Sequence, residues 1–148
     1  MNSNLKLENQ LCFKIYSASK SIVRIYGPLL KKIDLTYPQY LTMMVLWEDN
    51  KISFKDLSCK LKMKTGTLTP IISKLEDQGY LERVKDKNDD RKICLAITQK
   101  GLEVEDKAKN IPQNLACNIN IDKEDYLKYL KEFDDLVNKL DCIEKYMK

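Results

Sequence analysis

Near the middle of the chain, the helical spacing of the apolar residues gives way to a strand-like pattern, and few folds accommodate the two patterns in that order. Residues 53–61 and 65–78 carry apolar side chains three and four positions apart, as two helices joined by a short turn would. Residues 81–86 and 92–97 then flank a polar segment, 87–91, as the two strands of a hairpin flank a charged loop. A short helix pair followed by a β hairpin is the arrangement of a winged helix-turn-helix.

Polar residues and a glycine mark the ends of these segments. Ser53 is a candidate N-cap for the first helix of the pair, with Asp56 three residues further on. Thr65 is the candidate N-cap for the second helix, and Thr98 for the helix that follows the hairpin. Gly79 predicts the C-terminal end of the second helix.

Further helices are predicted before this motif. Residues 5–26 are apolar over more than half of a helical circumference, so this helix needs partners on two sides, such as its own core and a second subunit. Gly27 and Pro28 should kink or interrupt it. The segment 36–38, Thr-Tyr-Pro, is typical of a helix start and leads into the nearly apolar run 40–47, which predicts a buried helix.

Two more helices are predicted after the hairpin. One covers about 99–118 and should bend at Pro112. The other opens at Ile121-Asp122 and repeats apolar residues every three or four positions. The whole pattern predicts a mainly α fold with a small β wing, in which the winged helix-turn-helix is flanked by N- and C-terminal helices.

The residue types present exclude several classes of function. The 148-residue chain holds five cysteines and no histidine, so it has no Ser-His-Asp or Cys-His catalytic pair and no His-bearing zinc site. No two cysteines form a CxxC pair, which excludes zinc ribbons and thioredoxin-like motifs. A peroxiredoxin-like Pro-x-x-x-Thr-x-x-Cys is also absent. We therefore expect a protein that is not an enzyme and that needs no cofactor or metal.

The apolar content also bears on location. The N-terminal residues lack the apolar core of a signal peptide. The longest nearly apolar stretch, 40–47, is far shorter than the roughly 20 residues that span a bilayer. We expect a cytoplasmic protein with reduced thiols and no membrane partner.

The charges are distributed unevenly along the chain. Residues 51–75 contain six lysines, and Asp56 is their only acidic residue. Residues 101–148 contain 8 basic and 11 acidic side chains, a net charge of −3. A basic segment beside an acidic one suggests a surface that faces a polyanion, although a solvated lysine-rich face has the same composition.

The second helix of a helix-turn-helix enters the major groove by its N-terminal end. Here that end, 64–70, offers three hydroxyls, a glycine and no acidic side chain, which suits close approach to base edges and phosphates. At the hairpin tip, Asp89 is placed to orient Arg91 for insertion into the minor groove. An ordinary capped helix and an ordinary hairpin tip are the alternatives. The residues predicted to contact double-stranded DNA are Lys64, Thr65, Gly66, Thr67, Thr69, Pro70, Lys74, Asp89 and Arg91.

Three segments together resemble the MarR family of winged-helix repressors. They are Leu-Thr-Pro-Ile-Ile-Ser-Lys-Leu-Glu-Asp-Gln-Gly at 68–79, Asp-Asp-Arg at 89–91 and Leu-Ala-Ile-Thr-Gln-Lys-Gly at 95–101, and the resemblance extends over almost the whole chain. It implies a homodimer that is built by the first and the last two helices. A twofold dimer implies a pseudo-palindromic operator, with the reading heads about 34 Å apart.

The resemblance also implies a division of the chain. We expect one MarR-type domain over 1–148, with the DNA-binding winged helix-turn-helix at 36–99. The segments 1–35 and 100–148 are then the dimerisation helices.

One branch of this family, the organic hydroperoxide resistance regulators, is similar at Leu-Glu-Asn-Gln-Leu-Cys-Phe (7–13) and Thr-Tyr-Pro-Gln-Tyr-Leu (36–41). This resemblance implies that Cys12 senses peroxide and that Tyr26 and Tyr37 hydrogen-bond to it. Cys12 and Tyr26 are 14 residues apart on one predicted helix, which is about 21 Å at 1.5 Å per residue. They can therefore meet only across an antiparallel dimer interface.

The same resemblance implies that an organic hydroperoxide oxidises Cys12 to a sulfenic acid and that the operator is then released. Cys117 falls where two-cysteine members carry a resolving cysteine, which implies an intersubunit Cys12–Cys117 disulfide. The alternative is that a small thiol caps Cys12 and that Cys117 only packs. Cys59, Cys94 and Cys142 are predicted to be packing residues.

A different signal is compatible with the same fold. Many MarR-like repressors are released by a phenolic ligand, and Cys12 would then be structural. Tyr37, Met43, Met44 and Trp47 are the residues that we would expect to line the pocket for such a ligand.

Overall fold

The computed structural model describes residues 3–86 and 92–146. Close contacts group the chain into two units, residues 1–109 and 110–148. The fold is mainly helical with a small antiparallel sheet, which confirms the predicted fold class. Its elements are α1 (Leu11–Lys31), α2 (Tyr37–Asp49), β1 (Lys51–Ser53), α3 (Phe54–Leu61), α4 (Thr65–Asp77), β2 (Leu81–Lys85), β3 (Ile93–Ile97), α5 (Gln99–Ala108), α6 (Ile111–Ile119) and α7 (Lys123–Tyr146).

The first helix differs from the prediction at both ends. Two short 3-10 helices, Ser3–Leu5 and Leu7–Asn9, come before it, and α1 begins at Leu11 rather than at residue 5. Gln10 is the N-cap of α1, and its Nε2 donates a hydrogen bond to the carbonyl oxygen of Asn4 at 2.6 Å. The helix also continues through Pro28, so of the predicted kink or interruption the interruption is wrong. Pro28 removes one amide donor on an exposed part of the helix, where water can bind the carbonyl left without a partner.

The second helix starts where the sequence predicts. The amide of Thr36, the N-cap, donates to Oε1 of Gln39 at 2.7 Å, and Pro38 lies in the first turn. The helix supplies much of the core of its unit, since Met43 and Leu46 are fully buried. The buried hydroxyl of Thr42 donates to the carbonyl oxygen of Pro38 at 2.9 Å, so it has a partner.

The helix-turn-helix forms with one change of cap. Ser53 caps α3 as predicted: its Oγ accepts from the amide of Asp56 at 3.1 Å and donates to the carboxylate of that residue at 2.6 Å. Lys62 then adopts a left-handed conformation, with a φ of 51°, and turns the chain towards α4. The N-cap of α4 is Lys64, whose backbone is extended, and not Thr65, whose backbone is already helical. The Thr65 cap prediction is therefore wrong by one residue.

The sheet has one strand more than the predicted hairpin. The strand order is β1-β3-β2, with both pairs antiparallel. In the register, Ile52 lies opposite Leu95, and Val84 lies opposite Cys94. Strand β1 has three residues, which is too short for an alternating pattern to reveal it.

Gly79 and Thr98 bring the end of α4 and the start of α5 together. Gly79 ends the reading-helix segment with a φ of 73°, as its position predicts. The Oγ1 atom of Thr98 donates to the carbonyl of Gly79 at 2.6 Å and accepts from the amide of Gly101 at 3.1 Å, which confirms Thr98 as a cap. Gly101 lies so close to Tyr80 that a Cβ there would overlap the carbonyl oxygen of Tyr80.

The C-terminal segment is divided more sharply than predicted. Instead of one bent helix over 99–118, α5 ends at Ala108 and α6 begins at Ile111. Pro112 lies in the first turn of α6, where its missing amide donor costs little, so the proline accompanies a break and not a bend. The last helix opens as predicted, because Oδ1 of Asp122 accepts from the amide of Asp125 at 2.8 Å. Over the two described ranges, no helix is both long and apolar enough to cross a membrane.

Candidate DNA interface and sensor residues

The reading helix α4 presents a face with small and neutral side chains. Leu68, Ile72 and Leu75 are fully buried on one side of the helix. In the first two turns of α4 the exposed residues are Thr65, Gly66, Thr67, Thr69 and Pro70. We call this set the reading face; it contains five of the predicted DNA contacts.

The charge around the reading face comes from lysines that differ in their surroundings. Lys64 and Lys74 are exposed at the start and in the last turn of α4. Lys60 instead pairs with Asp49, with Nζ 2.7 Å from Oδ2, and this hydrogen bond raises the pKa of Lys60. The ion pair fixes α3 to the end of α2 and partly neutralises one of the six lysines of the basic segment. This pairing was not foreseen from the sequence, because the two residues are 11 positions apart.

An ion pair that the sequence does not predict connects the wing to α4. Nε of Arg83, on β2, lies 3.0 Å from Oε2 of Glu76 on α4. On β1, Lys51 donates from Nζ to the carbonyl oxygen of Lys85 at 3.3 Å. Opposite charges seven residues apart, across a turn, give no periodic signal that would have identified the Arg83–Glu76 pair.

The predicted minor-groove residues cannot be placed. Asp89 and Arg91 lie outside the described residues, which stop at residue 86 and resume at residue 92. At that boundary, the amide of Asp86 donates to the carbonyl oxygen of Lys92 at 2.9 Å, so the two strands are still paired there.

The two predicted sensor tyrosines lie side by side. The ring centroids of Tyr26, on α1, and Tyr37, on α2, are 4.9 Å apart. Tyr40 lies 5.8 Å from Tyr26, and Trp47 lies 6.0 Å from Tyr40, so an aromatic row follows α2. Burial raises the pKa of Tyr37 and of Tyr40, so both phenols stay protonated at neutral pH and are able to donate hydrogen bonds.

Cys12 is not part of this cluster. It is the second residue of α1 and is exposed, whereas Tyr26 lies 14 residues further along the same helix. At 1.5 Å per residue the separation is about 21 Å. Within one chain, the structure therefore brings the two tyrosines together without the cysteine.

The remaining cysteines fall into two groups. Cys94 is buried, as predicted, and its thiol donates to Oδ2 of Asp86 at 3.5 Å. Burial, and then the hydrogen bond to this carboxylate, raise the pKa of Cys94. Cys59 and Cys142 are exposed, so the prediction that they pack is wrong within this chain. The backbone of Cys117 belongs to α6, and its side chain is outside the described part of the structure.

The residues considered for a phenolic ligand differ in their surroundings. Met43 is fully buried in the core, whereas Met44 is 45% exposed. The indole of Trp47 is hydrogen-bonded to the carbonyl oxygen of Gly101. A cleft of about 540 Å³ is lined by Tyr37 and by residues of α1 and α4, but by none of those three side chains. Over the described ranges, no group of three or more Cys, Asp and Glu side chains could hold a metal ion.

The fold is a winged helix-turn-helix whose reading helix, α4, has lysines at its two ends and neutral side chains on its reading face. These features define a DNA-binding transcriptional regulator of the MarR type. Residues 24–111 match the family described as transcriptional regulator SarA/Rot. The chain belongs to this family.

Individual relatives agree with this assignment. Over 128 residues the chain is 38% identical to the organic hydroperoxide resistance transcriptional regulator of Bacillus subtilis strain 168, a match that covers 86% of each protein. The fold is similar to that of reduced AbfR bound to DNA, with a TM-score of 0.77, 27% identity and coverage of 96% of this chain and 98% of the other. It is also similar to disulfide-formed AbfR, with a TM-score of 0.65, 27% identity and coverage of 94% and 92%. AbfR is a protein of Staphylococcus epidermidis. These relatives are regulators and not enzymes.

Proposed function

We propose that the protein is a homodimeric repressor that binds a pseudo-palindromic operator and releases it when Cys12 is oxidised by an organic hydroperoxide. One observation carries the proposal: Tyr26 and Tyr37 lie 4.9 Å apart, while the predicted sensor thiol lies at the far end of α1. The similarity to a hydroperoxide resistance regulator of Bacillus subtilis supports the choice of signal.

The dimer is proposed from two apolar surfaces that the single chain leaves exposed. In the first unit they lie on the N-terminal segment and α1, at Leu5, Leu7, Leu11, Tyr16, Ile22, Val23 and Ile25. In the second unit they follow α7 at steps of three and four residues, at Tyr126, Leu127, Leu130, Phe133, Val137, Leu140 and Ile143. A second copy of the chain presents the same surfaces and covers both by twofold symmetry. In this arrangement, 1–35 and 100–148 form the dimer and 36–99 form the reading lobe of one domain over 1–148.

The sensor is then assembled from two chains. If the two α1 helices run antiparallel across the dimer axis, Cys12 of each chain approaches Tyr26 and Tyr37 of the other. The phenol hydroxyl groups donate hydrogen bonds that favour the thiolate form of the cysteine. A dimer would contain two such sites, related by the twofold axis.

The chemistry is a single two-electron oxidation. The Cys12 thiolate attacks the distal oxygen of the hydroperoxide, an S–O bond forms and the O–O bond breaks. The cysteine becomes a sulfenic acid, and the alkoxide that leaves takes a proton to become an alcohol. Each subunit is oxidised once and does not turn over, because no reductant is supplied.

Cys117 is the proposed resolving residue. Its thiol attacks the sulfenic acid of the partner's Cys12, forms an S–S bond and releases water. The similarity to a disulfide-formed regulator supports this second step. A link from α1 of one chain to α6 of the other would move the two reading lobes relative to each other and so release the operator. Capping of Cys12 by a small thiol is the alternative second step.

The test is an electrophoretic mobility shift with an operator that the reduced protein has first selected from random duplexes. Cumene hydroperoxide should release the wild type, and dithiothreitol should restore binding. The Cys12→Ser variant should stay bound, and Cys59→Ser is a matched control that should respond like the wild type. Non-reducing electrophoresis should show a dimer-sized band that is lost in Cys12→Ser and in Cys117→Ser.

Two results would contradict the proposal. Wild-type protein that stays on the operator after oxidation would exclude Cys12 as the switch. Release of the Cys12→Ser variant by a phenolic compound would instead favour the ligand-responsive alternative. A disulfide band that survives in Cys117→Ser would exclude only the resolving role of Cys117.

A further inference from the structure

The reading face of α4 lacks every side chain that reads a base by a pair of hydrogen bonds. Residues 65–73 contain no Arg, Lys, Asn, Gln, Asp or Glu. Guanine is usually read by Arg or Lys at O6 and N7, and adenine by Asn or Gln at N6 and N7. Over its first two turns, α4 therefore cannot discriminate bases in either of these ways.

The groups that the reading face does offer are methyl and methylene groups. The hydroxyl of Thr69 donates to the carbonyl oxygen of Thr65 at 2.8 Å, so the oxygen is held against the helix backbone. Its methyl group takes another staggered position on the Cβ of an exposed residue. The ring of Pro70, which is also exposed, adds methylene groups beside it.

Gly66 leaves room above this apolar patch. It lies one turn before Thr69 and Pro70, it is exposed, and no atom lies within 4 Å of the position that a Cβ would take. The helix backbone is thus accessible at this point, and Thr69 and Pro70 follow it by one helical turn, three and four residues further along. A base edge can approach the patch without displacing a side chain.

We propose that α4 recognises thymine through its 5-methyl group, which contacts the Thr69 methyl and the Pro70 ring. The 5-methyl of thymine is the one apolar group that the base pairs present in the major groove. The hydroxyls of Thr65 and Thr67 supply polar contacts beside it. Lys64 and Lys74, at the two ends of the helix, bind phosphates and carry no base preference. This inference rests on the proposed function, since it requires α4 to lie in the major groove.

The experiment compares two random duplex libraries, one made with thymine and one with uracil in place of thymine. The reduced protein should enrich a thymine-containing motif from the first library only. On the enriched duplex, replacing the contacted thymine by uracil should weaken binding about fourfold for each methyl covered, the factor that corresponds to burying one methylene-sized group. Enrichment of the same motif with equal affinity from both libraries would overturn the inference and leave the proposed function intact. No enrichment from either library would overturn both.

Matched variants assign the effect to Thr69. Thr69→Ser removes the methyl and keeps the hydroxyl, whereas Thr69→Val keeps a methyl and removes the hydroxyl. Because the Pro70 ring remains, Thr69→Ser should prefer thymine more weakly than the wild type does, and Thr69→Val should prefer it as strongly as the wild type. Helical circular dichroism equal to that of the wild type shows that each variant folds. A Thr69→Ser protein that prefers thymine as strongly as the wild type would overturn the assignment.

Discussion

The indole Nε1 of Trp47 donates a hydrogen bond to the carbonyl oxygen of Gly101 at 2.9 Å, across 54 residues of sequence. This contact joins α2 to the start of α5. Gly101 also packs against the carbonyl of Tyr80, three residues after the end of α4. The position of the reading helix relative to α2 therefore depends on a residue that has no side chain.

Replacing Gly101 should be costly. In Gly101→Ala the added methyl group overlaps the carbonyl oxygen of Tyr80 and Cγ1 of Ile97, and the backbone carbonyl cannot rotate away as a side chain would. We expect the free energy of unfolding to fall by about 1–3 kcal/mol. Urea denaturation followed by circular dichroism measures this change. Gly27→Ala is the control, because Gly27 is exposed and has no atom within 4 Å of an added Cβ. Equal stability of the two variants would contradict the prediction.

Gly66→Ala should separate stability from DNA binding. The added methyl points into open space in the first turn of α4, and alanine favours the helix by about 0.5–1 kcal/mol over glycine. The same methyl should block close approach to the major groove. We expect a higher melting temperature together with about a tenfold loss of operator affinity, which corresponds to ~1.4 kcal/mol. Thermal denaturation and a fluorescence anisotropy titration provide the two measurements. Unchanged affinity would mean that Gly66 does not face the DNA.

The cysteines should differ in their rate of alkylation. Burial and the Asp86 carboxylate raise the pKa of Cys94, so its thiolate fraction at pH 8 is smaller than that of an ordinary thiol. Iodoacetamide should therefore modify the exposed Cys59 well before Cys94 in the folded protein. Peptide mass spectrometry gives the two rates, and the difference should vanish in urea. Fast modification of Cys94 in the native protein would contradict the described burial.

The raised pKa of Cys94 also makes the stability of the fold depend on pH. Because the pKa of Cys94 is raised in the folded state, the stability that this thiol contributes is fully present below its unfolded pKa of about 8.5. This contribution is lost as the pH rises through the folded pKa. The wild type should therefore lose more stability than Cys94→Ala between pH 8 and pH 10, which urea denaturation at each pH will show. A parallel pH dependence of the two proteins would exclude a raised pKa.

A charge on the apolar face of α7 should disrupt the dimer. Leu130 is 51% exposed in the single chain, and Phe133 lies beside it one turn further along. The proposed interface buries both, so Leu130→Asp would place an unpaired charge in it. Sedimentation velocity should show a shift from dimer towards monomer, with helical content retained. The neighbouring Lys131→Asp variant, on an exposed polar position, should remain dimeric. A Leu130→Asp dimer as stable as the wild type would remove α7 from the interface.

Local patterns in the sequence are sufficient to predict the helix-turn-helix and the two strands of the hairpin. Ser53, Gly79 and Thr98 each satisfy backbone groups next to them, so their roles are visible in neighbouring residues. Strand β1 and the Gly101–Tyr80 contact depend on pairing with distant segments, and no periodic signal marks them. The cap of α4 shows a third case, because a run of hydroxyl residues around Thr65 offers several capping residues, and the observed cap is the preceding lysine.

The candidate sensor residues likewise depend on contacts between distant segments. The sequence places Cys12, Tyr26 and Tyr37 as candidates, and the structure adds that the two tyrosines pack together while Cys12 lies elsewhere on α1. Lys60 was counted with the basic segment, but Asp49 and Glu48 pair with it. These ion pairs join the ends of two successive helices, α2 and α3, and only the folded structure brings the ends together.

Cys12 and Tyr26 occupy one helix at a distance that a single subunit cannot close. Under the proposed antiparallel arrangement, a Cys12→Ser chain and a Tyr26→Phe chain are each defective in a homodimer. A mixed dimer of the two contains one site in which both residues are native and one in which both are replaced. Two inactive alleles expressed in the same cell would therefore restore peroxide sensitivity to the mixed dimers. The two mutant copies would complement each other, because the working site takes one native residue from each chain.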